Sequence, residues 1–152
     1  MKPKNTICLW FEKDAEEAAR FYCATFPDSA ITTVLKSPMD LQGAKEGAVV
    51  YVELTILGIP CMALNGGPVF PQTEAFSFLV MTDDQAETDR YWDAIIGNGG
   101  TEGRHGWCKD RWGVSWQISP RVFNDAMTAG GAEARRVIAA AISCYLPPIK
   151  KP

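Results

Sequence analysis

Short apolar runs and amphipathic stretches alternate along the chain, and the pattern is written twice. Thr6 to Phe11 (TICLWF) and Ala75 to Met81 (AFSFLVM) are compact runs of bulky residues, which predict strands. Each gives way to helical spacing. Ala18, Phe21, Tyr22 and Thr25 form one i, i+3, i+4, i+7 stripe; Thr88, Tyr91, Trp92 and Ile95 form another, 70 positions later. Asp14-Ala15-Glu16-Glu17 opens the first helical stretch and Asp84-Gln85-Ala86-Glu87 the second. In both, an aspartate at the N-cap is followed three residues on by a glutamate. That is a capping box, with its acids at the positive end of the helix dipole. Arg20-Phe21-Tyr22 also returns as Arg90-Tyr91-Trp92, and Gly97-Asn98-Gly99-Gly100 stops the second helix.

Strands follow each helix. Val49 to Leu57 leads through Gly58 into Pro60 to Leu64; Gly106 to Lys109 turns at Asp110-Arg111-Trp112-Gly113 into Val114 to Ser119. Gly58 and Gly113 are equivalent but 55 positions apart, so the first half is longer between helix and hairpin. The surplus falls around Ser29 to Gly47, where Lys36-Ser37-Pro38 and Gly43 to Gly47 read as loop. A linker with turn chemistry, Asn65 to Thr73, joins the halves. Beyond Pro120 a helix is predicted over the alanine-rich Ala132 to Ser143, which carries Arg135 and Arg136 and stops at Pro147-Pro148. Caps, aromatic pairs and glycines recur in the same order, which argues for an internal repeat.

Composition narrows the class. The 152 residues are 47% hydrophobic and 22% charged, which excludes a disordered or coiled-coil chain. A net charge of −3 without a basic stripe argues against nucleic acid or a membrane surface as partner. No apolar run reaches the ~18 residues of a membrane span, and Met1 to Thr6 is too polar for a secretory signal. Cys8, Cys23, Cys61, Cys108 and Cys144 are scattered and odd in number, which reads as reduced thiols in a cytoplasmic protein.

Several segments resemble a known family: Cys8 to Phe11, Ala15 to Tyr22 (AEEAARFY), Phe26 to Ser29, Met62 to Pro68, Glu74 to Phe78, Asp89 to Ala94, and above all Gly106 to Pro120 (GWCKDRWGVSWQISP). Together they are similar to the PhnB-like family, whose members often carry the label 3-demethylubiquinone-9 3-methyltransferase. That family belongs to the vicinal oxygen chelate superfamily of glyoxalase I, fosfomycin and bleomycin resistance proteins and extradiol dioxygenases. The resemblance implies an α+β fold: one domain of two tandem βαβββ modules, residues 5–66 and 74–120, with a C-terminal helical tail over 121–146. It also implies a homodimer and a cavity on each curved sheet.

Superfamily members hold a divalent metal with His or Glu on the first and last strands of each module. The first-strand position lies seven residues before the helix-starting aspartate, and the last-strand position four past the turn glycine. Carried over, these positions are Ile7, Met62, Ser77 and Gln117. None is a His or a carboxylate, and neither they nor their neighbours in sequence supply four ligands for a hard cation, so no metal and no cofactor is expected. Methyl transfer is not supported either. Gly97 to Gly100 follows a helix, whereas a nucleoside-binding turn would follow a strand.

Strand alternation then sorts the residues. With Ile7 and Ser77 inward, Leu9, Phe11 and Leu79 share the cavity face, as do Met62, Leu64, Ser115 and Gln117. Trp10 and Trp116 turn to the helical layer. Asn65, Trp107 and Trp112 stand at hairpin ends, at the mouth. Apolar walls with a few polar groups suit a small apolar or aromatic molecule. His105, the lone histidine, is expected as a loop surface residue, and Cys108 as a buried thiol. The resulting expectation is a metal-free small-molecule-binding protein. An enzyme of the superfamily (a lyase or isomerase, or a methyltransferase as the family label has it) and a ligand-free structural homodimer are the alternatives.

Overall fold

The first apolar run forms β1 (Ile7–Phe11) and the amphipathic stretch after it α1 (Ala15–Thr25). Then come β2 (Ala30–Lys36), β3 (Val49–Ile56) and β4 (Ile59–Asn65). β1 pairs parallel with β4, and β2, β3 and β4 pair antiparallel, in the order β1-β4-β3-β2. The β3–β4 turn consists of Leu57 and Gly58, at φ 49° and 75°. Positive φ at both central residues matches the twist of a two-residue hairpin, and glycine adopts it freely. β2 occupies part of the surplus between helix and hairpin, where the sequence pattern marked no strand.

The second module repeats the order. It comprises β5 (Ser77–Thr82), α2 (Gln85–Gly97), β6 (Thr101–Glu102), β7 (Trp107–Lys109) and β8 (Ser115–Pro120), arranged β5-β8-β7-β6 with β5 and β8 parallel. The fold is thus α+β, built of two βαβββ modules. The tail differs from the expected single helix: α3 (Arg121–Ala129) and α4 (Gly131–Tyr145) are separated at Gly130-Gly131, where φ is 73° and 67°. Two left-handed glycines in a row break a helix that the alanine content alone would continue. The computed structural model describes residues 4–41 and 43–145, and the chain divides into two compact units, Met1–Gln72 and Thr73–Pro152.

In the first unit α1 lies on β3 and β4 and buries Ala15, Ala18, Ala19 and Tyr22. The buried stripe is rotated from the expected one: alanines replace Phe21 and Thr25, because small side chains let the helix approach the sheet closely. Beneath them lie Leu9, Phe11, Val52, Leu54, Ile56, Cys61 and Ala63, all buried. In the second unit α2 buries Tyr91 and Ile95, and Phe78 stacks on Trp116 with ring centroids 4.8 Å apart.

The two capping signatures fold differently. Asp84 caps α2: its Oδ1 accepts from the Glu87 N–H at 2.7 Å, while Glu87 Oε2 accepts from the Asp83 N–H at 2.8 Å. Asp14 makes no side-chain cap. Asn65 does that work instead, its Oδ1 accepting from the Ala15 N–H at 2.9 Å and its Nδ2 donating to Val49 O at 2.9 Å. The parallel pairing of Phe11 with Asn65 delivers the amide to that place.

Candidate functional site

Each sheet has a helix-covered face and an open one. In the second module the register sets Ser77 beside Ser115 and Leu79 beside Gln117, while Trp107 pairs with Gln117 and Lys109 with Ser115. In-register partners project to the same face, so these six side chains share the open one. Phe78, Val80, Trp116, Ile118 and Cys108 fill the other face, and all are buried. Ser77, Leu79, Ser115 and Gln117 therefore come together as the alternation predicted, Trp107, expected at the mouth, joins them on that face through its pairing with Gln117, and Trp116 is in the core.

The first module departs from expectation. Leu9 and Phe11 are 2% and 3% exposed, in the layer beneath α1. Met62 and Leu64 are in register with Cys8 and Trp10, on the open face. The cause is one residue: three positions separate buried Phe11 from Asp14, but only two separate buried Thr82 from Asp84. A 70-position offset that aligns the helices therefore slips the first strands by one, which exchanges every face. Thr6, not Ile7, is the counterpart of Ser77.

Trp10, expected in the helical layer, is held on the open face by the linker. Its Nε1 donates to Gly67 O at 2.8 Å, Phe70 meets its ring edge-on at 5.0 Å, and the Gln72 side-chain amide donates to its carbonyl. Gly66 lies against the indole of Trp10; any Cβ there would clash with the ring atoms. Asn65, expected at a cavity mouth, is engaged at both ends of its amide in tying β3 and β4 to α1.

The specific Lys109-to-Trp116 segment has a structural reason. Asp110 is buried in the β7–β8 turn. Its Oδ1 accepts from the Trp112 and Val114 N–H groups and its Oδ2 from Trp116 Nε1, each at 3.0 Å. Trp112 is half-buried in that turn, its ring 4.6 Å from the Arg111 guanidinium carbon. The motif thus fixes the strand that carries Ser115 and Gln117.

On the open face Gln117 Nε2 donates to Ser77 Oγ at 2.8 Å. Ser115 Oγ is buried and makes no hydrogen bond. Lys109 Nζ is paired with Glu74, and this hydrogen bond is the first reason that the Glu74 carboxyl is held below its usual range. Lys109 and Glu74 were not singled out from the sequence, although the alternation Trp107-Cys108-Lys109 already places the lysine with Trp107. Together with Thr101 they border a cavity of about 280 Å³.

Two larger clefts lie elsewhere. One of about 780 Å³ in the first module is lined by Glu12, Asp14, Glu16, Glu17 and Arg20 at the start of α1. One of about 730 Å³ in the second is lined by Ile118, Phe123 and Val137 with Arg104 and His105. His105 is half-buried with φ 60°, a left-handed conformation that histidine adopts more readily than most residues. Burial raises the Cys61 thiol to about 11, and burial with the nearby Asp110 raises Cys108 to about 12, so both are inert protonated thiols. Cys144 lies outside the described side chains.

The donor set does not fit a divalent cation. The open-face positions matching the superfamily's ligands carry Thr6 and Met62 in one module and Ser77 and Gln117 in the other: two hydroxyls, a thioether and an amide. Hard cations are held by carboxylates, and imidazole is the usual nitrogen ligand. Among the described residues no three His, Cys, Asp or Glu side chains gather to replace them.

Duplicated βαβββ modules with these open faces define a member of the glyoxalase, or vicinal oxygen chelate, superfamily. Within it, the family model described as 3-demethylubiquinone-9 3-methyltransferase matches residues 3–119, and the chain belongs to that PhnB-like family. A solved Bacillus cereus PhnB protein is 28% identical, with a TM-score of 0.69 over 78% of this chain and 99% of its own. Protein PA1353 of Pseudomonas aeruginosa is 20% identical, with a TM-score of 0.63 over 78% and 98%. The fosfomycin resistance protein FosX of Listeria monocytogenes, solved with Mn(II) and 1S,2S-dihydroxypropylphosphonic acid, shares the fold at 16% identity, with a TM-score of 0.56 over 90% and 98%. No curated protein is significantly similar in sequence.

Proposed function

We propose that this chain is a small-molecule-binding protein that works without a metal, taking an organic ligand on the open face of its second module. One observation carries the reading: Leu79, Trp107, Gln117, Ser77 and Ser115 share a face that offers apolar surface and a few orienting polar groups, with neutral donors where the superfamily's metal ligands stand. Such a face binds by contact and hydrogen bonding, as small-molecule pockets do. The family's name implies methyl transfer. Against that reading stands the topology: each four-stranded sheet has one parallel pair, and the 97–100 glycines close α2, so among the described residues no glycine turn opens a helix after a parallel strand.

The homodimer remains part of the proposal, as does a cytoplasmic setting, which the free thiols Cys8, Cys23, Cys61 and Cys108 favour. No helix among the described residues is long and apolar enough to cross a membrane. A thermal-shift panel of divalent metals and of neutral and charged aromatic compounds tests the function. Stabilisation by at least one organic compound and none by metals is expected; stabilisation by metals alone would overturn the reading.

A further inference from the structure

We infer that the ligand of the second module is an organic carboxylate, its anionic head set between Lys109 and Ser115 and its apolar body on Trp107 and Leu79. This rests on the reading of that face as a small-molecule site and adds the chemical class. The sheet places one side chain from each of its four strands in a continuous row: Thr101 on β6, Lys109 on β7, Ser115 on β8 and Ser77 on β5, each in register with the next. Neighbouring strands stand about 4.8 Å apart, so the row is a strip of hydrogen-bonding groups crossing the whole sheet. The adjoining row is Trp107, Gln117 and Leu79, an aromatic ring and an isobutyl group flanking an amide. A polar strip beside an apolar one fits an amphipathic molecule.

Two groups in the strip have capacity that the fold leaves unused. Ser115 is 1% exposed and its hydroxyl has no hydrogen-bond partner, although it lines the 280 Å³ cavity. A buried hydroxyl left unmet is costly, and a ligand oxygen would meet it. Ser77 accepts from Gln117, which leaves its own proton to donate. Lys109 already holds a carboxylate, that of Glu74. The side chains of this pair are 37% and 63% exposed, so solvent screens it and it is readily displaced. Glu74 thus stands where a ligand's carboxylate would bind and competes with it. Glu102 also borders the cavity, but its register partner is buried Cys108, which assigns its side chain to the opposite face. The cavity is small for a whole organic ligand and suits a head group, while Leu79, 51% exposed, extends the contact surface outside it.

Titration of the intact protein with benzoate, and with benzamide as its uncharged isostere, tests the assignment by NMR of the Trp107 indole N–H. Benzoate is expected to shift that signal and to bind roughly tenfold more tightly than benzamide, since a charge-assisted bond replaces a neutral one. Lys109→Met is expected to erase the difference. Glu74→Gln is expected to raise benzoate affinity several-fold, a gain that misfolding cannot produce. Equal affinities for the two probes, or a Glu74→Gln variant that binds benzoate no better, would overturn the carboxylate while leaving the small-molecule reading intact. Silence at Trp107 from both probes would also overturn it; the broader reading fails only if the thermal-shift panel finds no organic ligand either.

Discussion

Replacing Asp110 with alanine removes one acceptor from three donors at once. The Trp112 and Val114 N–H groups and the Trp116 indole each lose a 3.0 Å bond to a carboxylate. Val114 and Trp116 are buried, so water cannot take over, whereas the half-buried Trp112 recovers part of its loss. With about 1–3 kcal/mol for each buried donor left unmet, the two buried donors sum to about 2–6 kcal/mol. For a domain of this length that lowers Tm by roughly 4–24 °C, at about 2–4 °C per kcal/mol. Asp110→Asn keeps one carbonyl acceptor but turns an NH2 toward the remaining donor, so its cost is expected to be smaller, about 1–3 kcal/mol. Urea unfolding followed by near-ultraviolet circular dichroism reads both. A loss below about 1 kcal/mol for the alanine variant would refute the claim that this carboxylate organises the β7–β8 hairpin.

Other expectations follow from the faces and the thiols. Leu9→Ala, beneath α1, is expected to cost about 2–5 kcal/mol, while Leu79→Ala on the open face costs less than about 1 kcal/mol; equal costs in chemical denaturation would contradict the face assignment. Gly66→Ala forces a methyl into the Trp10 indole and is expected to destabilise by about 1–3 kcal/mol, with a changed Trp10 indole N–H resonance as its signature. The folded-state pKa values of Cys61 and Cys108 are raised by burial, so their contribution to stability is complete below the ordinary thiol range and is lost as pH climbs toward about 11 and about 12. The urea midpoint should fall over that alkaline window, less steeply in Cys108→Ala. Among Cys8, Cys61 and Cys108, a thiol reagent should modify exposed Cys8 in the native protein and the other two only on unfolding.

The duplication was legible because it is carried by features that local chemistry dictates: capping acids, paired aromatics, turn glycines. The open face of the second module was legible for the same reason, since Ser77 to Thr82 and Ser115 to Pro120 alternate without interruption. In the first module the reading slipped on a single residue in the β1–α1 connection, which no periodicity registers. The helix caps align at 70 positions and the strands at 71. The swap of Leu9 and Phe11 for Cys8 and Trp10 follows from that alone. Asn65 was misplaced because its role depends on pairing with Phe11 across more than 50 residues of sequence. Lys109 was not legible as a site residue because a lysine is no metal ligand, and its place beside Ser115 on Trp107's face is set by the pairing of β7 with β8.

Stoichiometric Mn(II) added to the amide NMR spectrum tests the central claim most directly, because a paramagnetic ion broadens every resonance near its site. With hydroxyl, thioether and amide groups in the positions of the superfamily's ligands, the account predicts no selective broadening at Met62, Ser77 or Gln117. Their disappearance at one equivalent of Mn(II) would mean that these side chains do hold a divalent ion, and the account would be wrong.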